Sequence, residues 1–544
     1  MSEGLDAGSL ALMLEALEDF TRDALPPERR LELDHEDVCP ESTVRAMCGE
    51  ELGVQLAFFP EQYGGMGGGA FDAYRICERL ARIDIGLATS VFATFLGCDP
   101  ILFGGTPEQK KLWLSRICEE GALFAYGATE PEAGSDLGAL ATTATPVDGG
   151  SAYRIRGRKQ WISNGSIADV YTVLALAPGG PSWFVVERGT PGFSAAPPED
   201  KHGIRLSNTA ALFLDDVVVP AENLVGLQEG RGLIQAQLVF GYTRLMVAAF
   251  GLGGGWAALD RAVEYSAARI QGGAALSAKQ GYTHKLIVPH AVRLEAARAF
   301  LEETAAALDA GAGTLNTEGA VAKYLATEAG DAAADAAIQA HGGYGYTRPY
   351  MVEKIKRDVR ITRIYEGTSE IMEMTIARDR WQSHLKTSGR RYPDAAAALR
   401  ELDPETGAHT AALALDCLAE VLEACRVGRL TRSQHVLLRL GELIAYAEGS
   451  AGLARRAARA AAGTLDAKAD RRFGPATAAA LSRVFAREAA MKVAEEGVRW
   501  AAGAQTRGTD LAAGLPMERV RAAQAGLLAD MDLIADTLYG RTQG

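Results

Sequence analysis

Three short stretches concentrate the residue types that could do chemistry. The first, Tyr126-Gly-Ala-Thr-Glu-Pro-Glu-Ala-Gly-Ser-Asp136, packs small residues and hydroxyls into a loop punctuated by Pro and Gly. Such a loop lets backbone N–H groups approach a planar ring or a phosphate closely, and it serves equally well as a plain connector between two domains. The other two are Trp161-Ile-Ser-Asn-Gly165 and Arg363-Ile-Tyr-Glu-Gly-Thr-Ser-Glu-Ile371.

Other chemistries lack their usual arrangements. Eight His are scattered without HExxH or paired spacing, so no metal site is expected. No GxSxG, GxxxxGK[ST] or GxGxxG stands at a strand-to-helix junction. The glycines at 251–255 lie inside a helical pattern, where close packing accounts for them better than phosphate binding. Seven Cys, at 39, 48, 77, 98, 118, 417 and 425, have no CxxC spacing and an odd total, which suggests neither a disulfide framework nor zinc and fits a reducing compartment.

The elements that must position these stretches follow an α, β, α succession. Leu10, Leu14 and Leu17, then Ile76, Leu80 and Ile83, fall at helical spacing, with a Gly-rich break at 63–69 between them. Around residue 140 the period changes to short β-rich segments (152–155, 170–176, 183–186, 211–214), the signature of a β domain ending near 225. Helical periodicity returns from Gly230. Residues 387–407 carry Gly, Pro and charge and read as a linker, and the chain beyond is Ala-rich and helical, with turns at 428–431, 474–475 and 508–516. The expected domains are 1–122 (α), 123–229 (β), 230–386 (α bundle) and 408–544 (a further helical domain).

At 544 residues, 48% hydrophobic and 23% charged, the chain is an ordinary multidomain globular protein. A net charge of −13 argues against nucleic acid or anionic membrane as a general partner. The start, MSEGLDAGSL, lacks the basic and apolar regions of a leader, and no uninterrupted apolar run approaches the ~18 residues that span a bilayer. The sequence reads as a soluble, cytoplasmic enzyme.

In their order along the chain, Pro60-Glu-Gln-Tyr-Gly-Gly65, the 129–136 loop, Trp161-Ile-Ser-Asn-Gly165, Asp216-Val-Val-Val-Pro220, Gln339-Ala-His-Gly-Gly-Tyr-Gly345 and Tyr365-Glu-Gly-Thr-Ser369 resemble the acyl-CoA dehydrogenase family of flavoproteins. The resemblance runs to about residue 386. It implies an α+β multidomain fold with an N-terminal helical domain, a middle β-barrel-like domain and a four-helix bundle. FAD would lie between the β domain, the bundle and a neighbouring subunit. Residue by residue, Tyr126, Ala128 and Thr129 match the loop at the isoalloxazine, and Ser135 the position serving the CoA or cofactor phosphate region. Trp161 would stack on the flavin face, and Ser163 would bond near its N5. Arg269 and Gln280, with Gln339, Gly342 and Gly343, match the set that reaches the pyrophosphate and adenine of the FAD in the partner subunit, which implies at least a homodimer; the extension would occupy the face that pairs dimers into tetramers in shorter relatives, which favours a dimer over the alternative tetramer. Thr368 and Glu370 belong by the same resemblance with the cofactor, and Tyr242, Arg244 and Gly367 with the substrate. One departure stands out: the usual Arg-x-x-Phe-Gly is Arg269-Ile-Gln-Gly-Gly273, with Gly272 in place of an aromatic residue, which leads us to expect a looser contact there.

The resemblance makes Glu366 the base that removes the α-proton of an acyl thioester; the alternative position, just before Arg244, is Thr243. That proton is far too weakly acidic for an ordinary carboxylate, so the site must raise the pKa of the base and stabilise the enolate-like oxygen. The second task falls by resemblance to the Glu366 backbone N–H and a ribityl hydroxyl of FAD. The expected function is FAD-dependent α,β-dehydrogenation of an acyl-CoA to the 2-enoyl-CoA, with β-hydride passing to flavin N5 and electrons to an electron-transfer flavoprotein. The acyl chain would be apolar, medium to long or ring-bearing, in a pocket lined by 87–97 and Tyr242. The rivals are an acyl-CoA oxidase using oxygen and a nucleic-acid-associated flavoprotein with little turnover.

Residues 408–544 resemble in kind the helical extension of the very-long-chain branch. Within them Arg455, Arg456 and Arg459 sit on an Ala-rich helix, a weak membrane-surface signal better read as a solvated face. Asp466, Asp470, Glu488, Glu495, Glu496 and Asp510 dilute the Arg and argue against a DNA-binding role for this region.

Overall fold

A computed structural model describes residues 4–504 and 514–541 of the chain. Part of the turn expected at 508–516 lies outside the described residues. Two compact units emerge: unit 1 is 1–246 with 305–316 and 357–361, and unit 2 is 247–304 with 317–356 and 362–544.

Unit 1 begins with helices α1 (Ala7–Ala24), α2 (Pro27–Glu36), α3 (Glu41–Met47), α4 (Ala70–Ile83), α5 (Ile85–Gly104) and α6 (Pro107–Glu120). Their starts are chemically marked: the Asp6 carboxylate accepts from the N–H groups of Gly8 and Ser9, and Thr106 and Gln109 close a capping box on α6. Helix α5 is apolar nearly all round and almost wholly buried, as a core helix must be.

Seven strands follow: β1 (Phe124–Gly127), β2 (Thr143–Val147), β3 (Ala152–Ser163), β4 (Val170–Ala177), β5 (Gly180–Glu187), β6 (Phe193–Ala195) and β7 (Thr209–Pro220). They form one sheet in the order β1-β4-β2-β3-β7-β6, with β5 antiparallel on β4. The long ladder of β3 and β7 runs from Ala152↔Pro220 to Ser163↔Thr209 and breaks register twice, the second time between Lys159 and Ile162. Strands β1, β2 and β6 lacked an alternation signal because each is only three to five residues long.

Four long helices come next: α7 (Gly232–Ala268), then, after the short hairpin β8 (Ile270–Gln271) and β9 (Ala274–Ala275) and the short helix α8 (Gln280–Leu286), α9 (Val288–Asp309), α10 (Asn316–His341) and, beyond α11 (Met351–Val359), α12 (Ser369–Lys386). In unit 2 the glycines of α7 do what their helical setting suggested. A Cβ on Gly330 of α10 would stand 2.1 Å from the Gly251 carbonyl oxygen, and one on Gly255 2.8 Å from the Gly330 Cα, so the two backbones touch. Helices α5 and α7 correct the expectation about apolar length: both are long and apolar enough to cross a membrane, although 89% and 67% of their most apolar windows are buried inside the protein. Counting uninterrupted apolar residues missed them because Thr, Ser, Gly and Asp99 break the runs.

The segment 387–407 is not a bare linker. It contains α13 (Arg391–Arg400), which buries Tyr392, Ala396 and Leu399. Pro393 sits in its first turn, where the missing N–H costs nothing. Beyond it come α14 (Ala408–Val427), α15 (Gln434–Ala461), α16 (Pro475–Gly503), α17 (Met517–Ala522) and α18 (Leu527–Leu538).

The arginines of α15 are also not a solvated face. Arg456 is buried and its Nε donates to Glu302 of α9 at 2.8 Å, while Arg455 meets Glu303 at 2.9 Å. Burial alone would raise the Glu302 carboxyl, but Arg456 holds it below the usual carboxylate range. Further pairs join helices before residue 386 to the chain beyond 408: Arg380 of α12 with Glu448 of α15 at 2.7 Å, Arg293 of α9 with Glu488 of α16 at 2.8 Å, and Arg472 with Asp260 of α7. An alanine-rich helix has little apolar area to offer, and buried charge pairs fix its register instead.

Candidate active site

In unit 1, the register break in β3 creates the first unusual feature. Trp161 stands at the bulge with φ +57° and is 59% exposed, so the strand turns its largest side chain outward in a backbone conformation that bulky residues avoid. Strain of this kind persists where surrounding structure enforces it, and it clusters at functional sites. The enforcement is visible next door. Asn164 is fully buried, its N–H donates to the Asn208 oxygen at 2.9 Å, and its Nδ2 donates to the Ser90 oxygen at 2.8 Å. Ser163 beside it is half-buried.

The 126–136 loop is pinned by a buried ion pair. Lys159 Nζ, on β3, donates to Glu130 Oε1 at 2.6 Å and to the Ala128 carbonyl oxygen at 3.1 Å. Glu130 in turn accepts from the N–H groups of Ala141 (2.6 Å) and Thr142 (3.0 Å). Burial pulls the Lys159 ammonium down to about 8 against the opposite pull of Glu130. The Glu130 carboxyl, which burial alone would raise, is held low by Lys159 and the two N–H donors. The Thr129 carbonyl accepts from the Gln160 N–H at 3.0 Å, and the Tyr126 ring packs on Trp183 with centroids 4.7 Å apart. Ser135 is exposed. On α7, Thr243 is fully buried, Tyr242 half-buried, and Arg244 reaches the Asn316 carbonyl oxygen at 3.1 Å with its guanidinium over the Phe240 ring.

In unit 2, Glu366 and Gly367 form a second strained turn, with φ +53° and +92°. Lys323, buried on α10, donates its Nζ to the Gly367 carbonyl oxygen at 2.5 Å. Thr368 caps α12 by accepting from the Ile371 N–H at 3.3 Å, and Glu370 lies exposed in the first turn, where its charge suits the helix dipole. Arg363 is tied to Glu328 at 2.7 Å and to Asp331 at 2.9 Å.

A cavity of about 640 Å³ opens elsewhere in unit 2, lined among others by Tyr265, Arg269, Gln339, Gly342, Gly343 and Tyr344. Four of the five residues expected to act together are therefore brought to one place. A Cβ on Gly342 or Gly343 would meet nothing within 4 Å, so their backbone is open to a ligand. Arg269 lies over the Tyr344 ring. The departure at Gly272 has a structural reason. Gly272 and Gly273, at φ +56° and +79°, make the two-residue turn between β8 and β9, and only glycine adopts both conformations freely. The fifth residue, Gln280, is exposed and is not among the residues that line the cavity; its Nε2 donates to Asp532 of α18 at 2.9 Å. Among the described residues no group of three or more His, Cys, Asp or Glu is placed to hold a metal ion.

Family models for the N-terminal, middle and C-terminal domains of acyl-CoA dehydrogenase match residues 10–121, 125–217 and 230–380. The chain belongs to the acyl-CoA dehydrogenase family. An acyl-CoA dehydrogenase of Bacillus subtilis (strain 168) is 37% identical over 375 residues, 68% of this chain and 96% of that protein. Among solved structures, butyryl-CoA dehydrogenase from Megasphaera elsdenii superposes with a TM-score of 0.65 at 36% identity, covering 69% of this chain and 98% of that one. An acyl-CoA dehydrogenase from Bacillus anthracis, complexed with FAD, reaches 0.85 at 25% identity and covers 98% of this chain and 96% of that one. Its likeness therefore extends over the C-terminal helices that the shorter relatives lack.

Acyl-CoA dehydrogenases are FAD-dependent oxidoreductases, and the residues here fit that cofactor. An exposed indole on an enforced bulge suits one face of a flavin ring. Open glycine backbone beside an arginine suits a pyrophosphate. The motif reading did not include Lys159, Lys323 or Asp532 among the site residues of this acyl-CoA dehydrogenase. Lys323 left one signal, a single cation amid apolar or small neighbours on an otherwise buried stretch of helix; Lys159, among Arg154, Arg156 and Arg158, and Asp532 left none.

Proposed function

We propose that this acyl-CoA dehydrogenase oxidises the Cα–Cβ bond of an acyl-CoA thioester, with Glu366 as the base. The observation that carries the reading is the Glu366 turn. A carboxylate is held in a strained conformation, half-buried, on a loop fixed from the following residue by a buried lysine. A carboxylate so placed can accept a proton from a bound substrate. The Glu366 backbone N–H supports charge on the thioester oxygen. Trp161 provides the platform for the flavin ring, and the Glu130–Lys159 pair keeps the 126–136 loop, with its backbone N–H groups, in one conformation. Bound FAD supplies the acceptor for the β-hydrogen and its electron pair.

Thr243, at the alternative position, cannot accept the α-proton, so Glu366 carries that role by itself. The Arg269–Gly343 cavity takes the pyrophosphate and adenosine of a FAD shared across a homodimer, and an electron-transfer flavoprotein removes the electrons. The acyl chain is apolar. Anaerobic mixing of the yellow enzyme with a panel of straight, branched and ring-bearing acyl-CoAs tests the reading: flavin bleaching is expected with at least one thioester. Absence of bleaching with all of them overturns it, and rapid peroxide formation in air replaces the dehydrogenase with an oxidase.

A further inference from the structure

The last helix of the chain meets the rim of the cavity described above. Asp532 Oδ1, on α18, accepts from Gln280 Nε2 at 2.9 Å and lies 3.2 Å from His284 Nε2, so one carboxylate grips two residues of α8. Seven residues on, the Tyr539 hydroxyl bonds Ser266 Oγ at 2.8 Å, and Arg541 Nη2 donates to the Ser277 carbonyl oxygen at 2.5 Å. Ser266 adjoins Tyr265, and Ser277 adjoins Leu276; both neighbours line the cavity. The tail thus touches the chain before Arg269, after β9 and on α8. The turn at Gly272–Gly273 between these contacts has no side chains of its own to hold it.

We propose that the C-terminal extension is a structural part of the FAD half-site, with Asp532 as a positioning residue that holds Gln280 and α8, and Tyr539 holding the segment that leads to Arg269, in their ligand-ready arrangement. The inference rests on the reading of this cavity as the site for the pyrophosphate and adenosine of FAD. A carboxylate only accepts hydrogen bonds, so Asp532 engages the NH2 end of the Gln280 amide and leaves its carbonyl oxygen as the free recognition group, an acceptor suited to an amino or hydroxyl donor rather than to a phosphate. The extension therefore sets the hydrogen-bond polarity of a residue 252 positions away.

The test is FAD binding to full-length deflavo-enzyme, followed by flavin fluorescence, in Arg269→Ala, Asp532→Ala, Asp532→Asn, Gln280→Ala and the Asp532→Ala/Gln280→Ala double variant. Asp532→Ala is expected to weaken FAD about three- to tenfold, the range for one charge-assisted bond at an exposed site, with the melting temperature of the apoprotein unchanged. Asp532→Asn, which keeps the acceptor, should bind within about twofold of wild type, and the double variant should be no weaker than Gln280→Ala because both remove one device. Full FAD affinity in Asp532→Ala, or tighter binding from removal of a repelling anion, overturns the proposal while a weak Arg269→Ala leaves the cavity reading standing. Full affinity in Arg269→Ala overturns both. Should Asp532→Ala fail to fold, Gln280→Ala, which leaves α18 intact, decides by the same loss or its absence.

Discussion

Lys323 Nζ donates to the carbonyl oxygen of Gly367, the residue that directly follows Glu366. The lysine is fully buried on α10, in unit 2 with the turn it holds. Glycine at 367, with φ +92°, has the widest conformational freedom of any residue, and a Cβ there would stand 2.6 Å from Met372 Cε. The bond from Lys323 removes that freedom at the one place where it would blur the position of the base.

Lys323→Met keeps the length and apolar stem of the side chain and removes the donor. The expected result is flavin reduction slowed about ten- to a hundredfold at saturating acyl-CoA, the scale of a small misplacement of a reacting group, with acyl-CoA affinity changed little. Anaerobic stopped-flow spectroscopy over a range of thioester concentrations separates the two. A loss of affinity with an unchanged limiting rate would assign the lysine to binding instead.

Glu366→Gln is nearly isosteric and retains the backbone N–H, but it cannot accept the α-proton. FAD and acyl-CoA should bind nearly as in wild type while reduction falls by at least about 10²–10⁴-fold, the usual contribution of a general base. Reduction at near wild-type rate would place the base elsewhere. Recovery of measurable rate in Thr243→Glu/Glu366→Gly would support the two-position account.

Trp161 offers a test of strain against function. Alanine and glycine at this position both remove the indole, but only glycine relaxes at φ +57°. Trp161→Gly should therefore unfold at higher denaturant than Trp161→Ala, by about 1 kcal/mol, while both lose much of their FAD affinity. Equal stability of the two variants would mean that the bulge holds no strain at Trp161.

The Lys159 ammonium titrates near 8 when folded, against an ordinary 10.5. Between those values the unfolded chain binds the proton and the folded one does not, so this group makes stability rise with pH. Below about 8 both states carry the proton and the burial penalty is complete; above about 10.5 neither does. Wild type should thus gain on Lys159→Met across that window, by about 3 kcal/mol at most. Urea unfolding of both proteins at its two ends gives the difference, and a flat or falling difference would contradict the depressed titration.

What could be read in the sequence follows from what acts locally. Caps, periodicity and the ordered motifs act over a few residues, and they carried the α, β, α order, the Glu366 turn and four residues of the cavity. The outward turn of Trp161 depends on a register break against β7, some fifty residues away, which alternation along β3 cannot encode. Lys159 lies on a strand whose other cations, Arg154, Arg156 and Arg158, face water, and only the loop partner Glu130 explains its burial. The 387–407 segment looked like a linker because Pro, Gly and charge flank its helix, whereas flanking residues of those types are also how short helices begin and end. The Arg of α15 read as solvated because their carboxylates lie on α9, more than 150 positions earlier.

Those arginines also bear on how such a chain can vary over generations. Glu302 and Arg456 are both buried, as are Arg380 and Glu448, and each pair has one member in the dehydrogenase core and one in the extension. Replacing either member removes the main partner of a buried charge and leaves the rest of the balance to secondary contacts, Glu318 for Arg380 and Arg298 for Glu302, so each loss costs a share of the roughly 3–5 kcal/mol of a broken buried pair. Neither position is free to drift by single steps. Among descendants of this chain the two halves of each pair are expected to change together or not at all, so that core and extension pass down as one inherited block, and chimaeras that exchange the extension between relatives will fail unless the matching carboxylates and arginines travel with it.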